Sequence, residues 1–270
     1  MTKDEKAKGR TIDLSVGVDA PPEAVWKALT EAEEITRWFA PEARVEPGEG
    51  GSVWLSWGEG MAGSGRIRVW DPPRRLVSQR EGPSQPGREP MIDEYTLQAA
   101  DGGGTLLRLV QSGFGPGADF DDEYDATSNG WRTYLRMLQH GLARHRGQPH
   151  RNITQIRVVA SSRDQAWQAL KGPRGLGAEG RLEELRPGFR YRLRAATGDL
   201  LEGEVWHFEP AGYLTLTVDA LDDSLLSLFC ERGGDSAFVT FTWILNGRAV
   251  DQAEALRQRW SAWLEGLFPA

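Results

Sequence analysis

Alternating apolar and polar residues open the chain and predict a half-buried strand. Between Ile12 and Val18 every second residue is apolar, and the residues between are polar or glycine. This period of two is typical of a strand with one buried face. Pro21-Pro22-Glu23 follows, and proline with an acid beside it indicates the first turn of a helix. A second short helix is predicted over 31–39.

Short strand-like runs separated by turn residues fill the middle of the first half. Glycine and proline clusters mark the turns between them. Because the connections are too short for crossovers, the runs predict an antiparallel meander. From Trp131 to Leu142 apolar residues then recur at helical spacing, which predicts a long amphipathic helix. The predicted strands are 53–57, 65–70, 76–79, 92–97 and 106–111.

The same plan occurs twice along the chain. The segment around Trp26 returns around Trp167, and the segment that begins at Trp131 returns at Trp260. A repeat of this length indicates duplicated domains, because each copy is long enough to bury its own core. We therefore predict two α+β domains at 11–146 and 152–270. Each has a strand, two short helices, a five- or six-stranded antiparallel meander and a long helix.

A bent sheet around one long helix leaves space that large side chains or a ligand must occupy. The second copy has a shorter middle, yet residues 152–270 contain 13 aromatic residues against 12 in residues 1–151. Since protein interiors pack near crystal density, we expect its cavity to be reduced or filled. The residues expected to fill it are Phe189, Tyr191, Trp206, Phe241, Trp243 and Trp260.

The first helix of the second copy also has a start signal, because Ser162 and Gln165 predict a capping box there.

Charge and composition narrow the functional classes. A net charge of −7 and a sequence pI near 5.3 argue against a nucleic-acid partner. The single cysteine, Cys230, allows no internal disulfide and fits a reducing cytoplasm. The first six residues are mostly charged or polar, so we expect no signal peptide, and no apolar run reaches the length of a membrane span. A cytoplasmic protein without membrane contact is expected.

Organised catalytic or metal-binding motifs are lacking in the sequence. The four histidines and Cys230 show no metal-ligand spacing, and no serine lies in a nucleophile elbow. Residues 58–63 fit the letters of a dinucleotide motif, but a strand-like run follows where that motif requires a helix. We interpret them as a hairpin loop and predict neither a cofactor nor a metal site.

Several short motifs of the first copy carry a resemblance to a known family. They follow the family's order over nearly all of residues 11–145. The first copy thereby resembles the START-like, helix-grip superfamily, and within it the group similar to the C-terminal domain of the activator of heat-shock-protein-90 ATPase. The motifs are Val18-Asp19-Ala20-Pro21-Pro22-Glu23-Ala24-Val25-Trp26, Arg37-Trp38-Phe39-Ala40-Pro41, Gly50-Gly51, Asp71-Pro72-Pro73-Arg74-Arg75-Leu76, Gly103-Gly104-Thr105, Ser112-Gly113-Phe114 and Asn129-Gly130-Trp131.

The second copy is degenerate, because it has no counterpart of Arg37-Trp38-Phe39 or of the double glycine. The resemblance implies two tandem helix-grip domains, each a curved antiparallel sheet around a long C-terminal helix, with two short helices after the first strand. It also implies a hydrophobic cavity between sheet and helix. The residues expected to line the cavity of the first domain are Trp38, Trp57, Tyr95, Leu109, Gln111, Trp131, Tyr134 and Leu135.

The resemblance implies no single activity, because relatives bind apolar molecules, act on chaperones or, in a few cases, are enzymes. Without an organised acid, base or nucleophile, we expect non-catalytic binding of a small hydrophobic molecule in the first domain. One alternative is a chaperone-interacting protein that acts through its surface. Another is a cyclase- or hydrolase-type enzyme that uses Glu94, Tyr95, Gln111 or Tyr134. The second domain is expected to pack on the first as a structural partner.

Overall fold

Two antiparallel sheets, each with one long C-terminal helix, form the framework of the protein. The chain divides into unit 1, which ends at Arg144, and unit 2, which begins at His145. Each unit has the helix-grip architecture, in which a curved sheet wraps around the long helix. The computed structural model describes residues 9–58, 60–82, 89–115, 117, 120–178, 185–210 and 212–269.

Unit 1 contains a seven-stranded sheet in the order β1-β7-β6-β5-β4-β3-β2, so all strands after β1 form one continuous meander. Every neighbouring pair is antiparallel, as the short connections predict. The strands are β1 (Arg10–Val18), β2 (Glu42–Glu46), β3 (Ser52–Ser56), β4 (Ala62–Asp71), β5 (Arg75–Glu81), β6 (Ile92–Ala99) and β7 (Thr105–Phe114). The helices are α1 (Pro22–Thr30), α2 (Ala32–Ile35) and α3 (Asp121–Arg144).

Unit 2 repeats this plan with a six-stranded sheet in the order β8-β13-β12-β11-β10-β9. Its second short helix is a single 3-10 turn at Leu176–Ala178. The strands are β8 (His150–Val159), β9 (Arg190–Arg194), β10 (Leu200–Glu209), β11 (Tyr213–Val218), β12 (Ser224–Gly233) and β13 (Ser236–Asn246). The α-helices are α4 (Arg163–Lys171) and α5 (Ala253–Leu267).

Local sequence signals locate the starts of the short helices. The α1 helix begins at Pro22, where the missing proline N–H costs nothing because the first-turn N–H groups have no helical partner. The capping box predicted at α4 is confirmed: Ser162 Oγ accepts from the backbone N–H of Gln165, and Gln165 Oε1 accepts from the backbone N–H of Ser162. The α2 helix is shorter than the predicted 31–39 and leaves residues 36–39 in a turn.

The concave face of the seven-stranded sheet in unit 1 packs against α3. Alternate residues of β6 and β7 are buried on this face, as the period of two requires. The amphipathic stripe predicted from Trp131 to Leu142 is confirmed, because its apolar residues are buried in a helix of 24 residues. Sheet and helix thus form two layers with the apolar side of each turned inward. Among the described residues, no helix is long and apolar enough to cross a membrane.

Unit 2 has a large aromatic core, but two of the six expected fillers are wrong. Tyr191, Phe241, Trp243 and Trp260 belong to the buried cluster. Phe189 is 68% exposed, because it lies in the turn before β9 and strand alternation does not direct its side chain inward. Trp206 follows the fully buried Val205 on β10, so it lies on the opposite face of the sheet and is only half-buried.

Candidate functional site

A cavity of about 180 Å³ lies in unit 1, between the sheet and the helical layer. Most of its wall is aliphatic or aromatic, with a few polar groups on β4, β5 and β6. The exposed positions Gly63, Arg80 and Glu81 mark the side on which it meets solvent. The lining residues are Leu29, Ile35, Trp38, Phe39, Val53, Leu55, Trp57, Gly63, Ser64, Gly65, Leu76, Ser78, Arg80, Glu81, Asp93, Tyr95 and Trp131.

A glycine on β4 creates the space. Gly63 lies directly opposite Leu55, and Gly65 lies directly opposite Val53, so each large β3 side chain has a neighbour without one. A Cβ atom added at Gly63 would meet no other atom within 4 Å. All four residues line the cavity, because cross-strand partners share a face of the sheet. At Gly65 an added Cβ would instead lie 3.2 Å from the backbone oxygen of Gln79, so the open space is at Gly63.

Phe39 is the centre of an aromatic cluster that forms one wall. Its ring stacks on Trp38 and on Trp131, with ring centroids 5.0 and 5.1 Å away. Trp57 and Tyr134 contact it edge-on at 5.2 and 4.7 Å. Offset-stacked and edge-to-face contacts are the geometries that aromatic rings prefer, so the cluster is a well-packed wall.

A hydrogen bond to α1 also holds the Trp38 ring of this wall in place. Its indole Nε1 donates a 2.9 Å hydrogen bond to the carbonyl oxygen of Ala28 on α1. The turn of residues 36–39 that follows α2 therefore presents Trp38 and Phe39 in a defined position.

Polar side chains form a row across three neighbouring strands at one end of the cavity. Ser78 on β5 pairs with Asp93 on β6, and Asp93 pairs with Gln111 on β7. Gln111 Nε2 donates to Asp93 Oδ1 at 2.5 Å, and Trp131 Nε1 donates to Gln111 Oε1 at 2.9 Å. Arg80 Nε donates to Asp93 Oδ2 at 3.4 Å. This chain of hydrogen bonds connects α3 to the solvent-facing side of the cavity.

Tyr95 contributes a neutral phenol beside this row. Burial, and to a lesser extent the negative charge of Asp93, hold the pKa of Tyr95 well above its ordinary value. The ring lies edge-on to Trp131 at 6.1 Å between centroids. A protonated phenol both donates and accepts hydrogen bonds, so this wall position is polar without being charged.

The eight residues predicted to line a cavity fall into two groups. Trp38, Trp57, Tyr95 and Trp131 lie on the wall of the observed cavity. The other four lie next to that wall. Gln111 bridges Asp93 and Trp131, and Tyr134 contacts Phe39. Leu109 is fully buried directly opposite Tyr95, and Leu135 is buried on α3.

Sequence reasoning missed the rest of this wall, including its central ring, Phe39, and the polar residues Ser78, Arg80 and Asp93. Phe39 stands in the Arg37-Trp38-Phe39 motif that carries the resemblance, so the sequence held a signal for it. Asp93 is two residues from Tyr95, and alternation alone would have placed both on one face. Glu94, in contrast, pairs with Arg75 at 2.8 Å and is on the opposite face of β6 from Tyr95.

Possible metal ligands lie apart among the described residues of each unit. Within each unit taken by itself, the described His, Cys, Asp and Glu side chains form no group of three with ligand atoms close enough to share an ion. Ala62 and Gly63, at the end of the segment that fits the letters of a dinucleotide motif, already belong to β4 and not to a helix, and Glu59 lies outside the described residues. A phosphate site of that kind needs the N-terminus of a helix, so this segment does not provide one.

Comparison with known proteins identifies the family through unit 1. Residues 19–143 match the family described as Activator of Hsp90 ATPase homolog 1-like protein. No curated protein matches the chain.

Solved structures similar to the chain include CalU16 from Micromonospora echinospora, at 32% identity over 48% of this chain and 73% of that chain, with a TM-score of 0.38. Protein MLL2253 from Mesorhizobium loti is 26% identical over 50% of this chain and 98% of that chain, with a TM-score of 0.45. The di-domain ARO/CYC protein BexL is 17% identical over 97% of this chain and 99% of that chain, with a TM-score of 0.46. Through unit 1, the chain belongs to the family of Activator of Hsp90 ATPase homolog 1-like proteins.

Proposed function

We propose that unit 1 binds a small, flat, largely apolar molecule in the cavity between its sheet and its helices. The observation that carries this proposal is a space of about 180 Å³ with aromatic and aliphatic walls and a few polar groups at one end. Binding sites for small molecules combine these two features. Gly63 keeps the space open, since a larger residue there would extend into it.

The volume limits the size of the ligand. An apolar cavity of about 150 Å³ accepts benzene, whereas sites for drug-sized molecules run from about 300 Å³ upward. The cavity of unit 1 lies near the lower figure. A molecule with one ring and a small substituent therefore fits, and burial of its apolar surface would drive binding.

A surface role with a chaperone is the second candidate, and the family description supports it. A protein acting only through its surface has no need of an internal space that reaches solvent. Gly63 and Arg80 are exposed and also line the cavity, which favours the ligand-binding proposal. An enzymatic role would need an acid or base within the cavity, and Asp93 and Tyr95 are the buried titratable groups among the lining residues.

The binding proposal is tested by calorimetric titration with toluene and by a variant that fills the cavity. In Gly63→Leu the new side chain would extend into the open space, and we expect toluene affinity to fall by at least about tenfold. Gly17→Leu is the matched control, because Gly17 is also an exposed strand glycine with open space around it but does not line the cavity. It should bind toluene as the natural protein does.

Two outcomes would overturn the proposal. One is the absence of toluene binding by the natural protein, together with a native mass spectrum that shows no retained small molecule. The other is equal toluene affinity in Gly63→Leu and Gly17→Leu, which would place the ligand elsewhere. If, in addition, Gly63→Leu stimulated a chaperone ATPase as strongly as the natural protein does, the surface role with a chaperone would remain as the function of the protein.

A further inference from the structure

A buried carboxylate stands in the polar row at one end of the cavity in unit 1. Asp93 lines the cavity and is only 8% exposed, between Ser78 and the fully buried Gln111 on the neighbouring strands. Burying a carboxylate costs free energy unless hydrogen bonds satisfy it. Its partners therefore decide what it offers to a ligand.

Gln111 is the first partner of Asp93, and Trp131 fixes the orientation of the Gln111 amide. An indole N–H can only donate, so the 2.9 Å bond from Trp131 Nε1 identifies the Gln111 atom beside it as the amide oxygen. The amide nitrogen then faces Asp93 and donates to Oδ1 at 2.5 Å. Asp93 is held as an acceptor by a chain of donors that begins on α3.

The second partner leaves acceptor capacity unused. Arg80 Nε donates to Asp93 Oδ2 at 3.4 Å, a long contact, and the Arg80 side chain is 50% exposed. A carboxylate offers about four lone-pair positions, and the described residues use two of them. A ligand in the cavity that carries a hydrogen-bond donor would find an acceptor at this end.

Charge selects among the possible donors. The Arg80 guanidinium offsets the charge of Asp93, and the Glu81 carboxylate is paired with Arg66 at 3.2 Å. A cationic ligand would have to approach Arg80, and an anionic one would approach Asp93. A neutral donor meets neither penalty.

We infer that unit 1 selects single-ring molecules that carry a neutral hydroxyl or N–H donor, with Asp93 as the acceptor. This inference rests on the proposed function, because it assigns a ligand class to the same cavity. It makes Asp93 a specificity-determining residue, with Gln111 and Trp131 positioning it. The ring would lie beside the aromatic wall centred on Phe39, and its donor would point to the β6 side.

Phenol and toluene form the matched pair of probes, since they differ by a hydroxyl in place of a methyl group. Toluene is the more hydrophobic molecule and would bind more tightly to a purely apolar cavity. With a buried carboxylate as acceptor, we expect calorimetry on the natural protein to show phenol binding about tenfold more tightly. The indole N–H resonance of Trp131 should shift with either probe, which locates both in this cavity.

Asp93→Asn tests the acceptor directly. The asparagine oxygen can still accept from Gln111, but its amide group then faces the cavity as a donor. We expect the preference for phenol over toluene to fall by about tenfold. Asp13→Asn is the matched control, because Asp13 is an exposed β1 residue paired with Arg108 outside the cavity, and it should keep the natural preference.

The outcomes separate this inference from the proposed function. If the natural protein binds toluene as tightly as phenol, the cavity is a binding site but Asp93 does not select the ligand. If neither probe binds, both proposals fail. Should Asp93→Asn not fold, Arg80→Met replaces it: with the competing donor removed, the phenol preference should hold or rise, and a loss would overturn the inference.

Discussion

Tyr191 and Gly203 lie directly opposite each other on β9 and β10, and the tyrosine hydroxyl donates a 2.7 Å hydrogen bond to the carbonyl oxygen of Thr217. The corresponding strands of unit 1, β3 and β4, place Leu55 opposite Gly63. Both units therefore have a glycine opposite a large residue on this pair of strands. In unit 2 the backbone of β11 closes over the glycine, since an added Cβ at Gly203 would lie 2.1 Å from the Thr217 oxygen. In unit 1 an added Cβ at Gly63 would meet no atom within 4 Å, whereas at Gly65 it would lie 3.2 Å from the Gln79 oxygen.

Substitution by alanine should destabilise the protein at Gly203 and change its stability little at Gly63. Gly203→Ala forces a methyl group onto a backbone oxygen, so we expect the free energy of unfolding to fall by about 2 kcal/mol or more. Gly63→Ala meets open space and should change it by less than about 0.5 kcal/mol. Urea unfolding followed by tryptophan fluorescence measures both. Equal effects would mean that the glycines serve the same purpose in the two units.

Among the acidic residues near the surface of unit 2, Asp199 is expected to cause the largest loss of stability when it is replaced. Its carboxylate accepts from Arg259 at 2.6 and 3.0 Å, from Trp260 Nε1 at 2.9 Å and from Thr197 Oγ1 at 2.7 Å. Asp199→Ala leaves the buried Trp260 indole N–H without this acceptor, and we expect a loss of about 2–4 kcal/mol in urea unfolding.

The matched control for Asp199 is Asp219, which makes an exposed ion pair with Arg190. Asp219→Ala should cost at most about 1 kcal/mol, because exposed pairs are well solvated. If both alanine variants lost the same stability, the contact between Asp199 and Trp260 would be dispensable.

The elements of this fold follow from local sequence signals, whereas the polar row of the site does not. The proline start of α1, the Ser162–Gln165 capping box and the stripe from Trp131 to Leu142 each lie within a few turns of one helix. The contact between Asp93 and Gln111 depends on how β6 and β7 align, and one residue of slippage would turn Asp93 to the opposite face. Register of that kind is set by the whole sheet.

The aromatic core of unit 2 is predictable only in part. Phe241, Trp243 and Trp260 stand in strongly periodic segments, and the structure buries all three completely. Phe189 and Trp206 are also large aromatic residues, but Phe189 lies in the turn before β9 and Trp206 lies on the opposite face of β10. Periodicity identifies inward positions well within an element and poorly at its ends.

Glu231 should make unit 2 less stable as the pH rises. Burial holds the pKa of Glu231 above its ordinary value of 4.5, although the hydrogen bond from Tyr213 partly opposes this. The unfolded chain then loses this proton first, so stability falls as pH rises from about 4.5 through the pKa of the folded state. Glu231→Gln should be more stable than the natural protein at neutral pH and equal to it near pH 4, by urea unfolding at several pH values.

Glu254 provides a control of opposite sign. Hydrogen bonds from Arg257 and Gln258 lower the pKa of Glu254, so its contribution to stability is present above the unfolded value and is lost as pH falls through the folded one. Glu254→Gln should therefore reduce stability slightly at neutral pH and have no effect in acid. A gain in stability for both variants at neutral pH would contradict the assignment at Glu231.

Cys230 should report the unfolding of unit 2. It is the chain's single cysteine and is fully buried on β12, and burial raises the pKa of its thiol to about 12. The reactive thiolate is therefore scarce in the folded protein. We expect a thiol reagent at pH 8 to react slowly in buffer and completely in urea, with a rate that follows unfolding. Fast, complete reaction in buffer would show that β12 opens in the native state.

Phe241 should show whether aromatic residues keep unit 2 closed to ligands. Its fully buried ring lies 6.0 Å from that of Trp260, on the side of the sheet that in unit 1 borders the cavity. Phe241→Ala should reduce the free energy of unfolding by about 3–5 kcal/mol and leave a space that the surrounding core fills only in part. Because a ligand bound only to the folded state stabilises it, toluene should then stabilise unit 2 of this variant. The measurement is the protection of Cys230 from a thiol reagent.

Phe189→Ala is the control for Phe241→Ala. The Phe189 ring is 68% exposed, so the change in unfolding free energy should be within about 0.5 kcal/mol, and toluene should leave the protection of Cys230 unchanged. If toluene protects Cys230 equally well in the natural protein, unit 2 already contains a ligand-sized cavity and the expected division between an open first unit and a filled second unit is wrong.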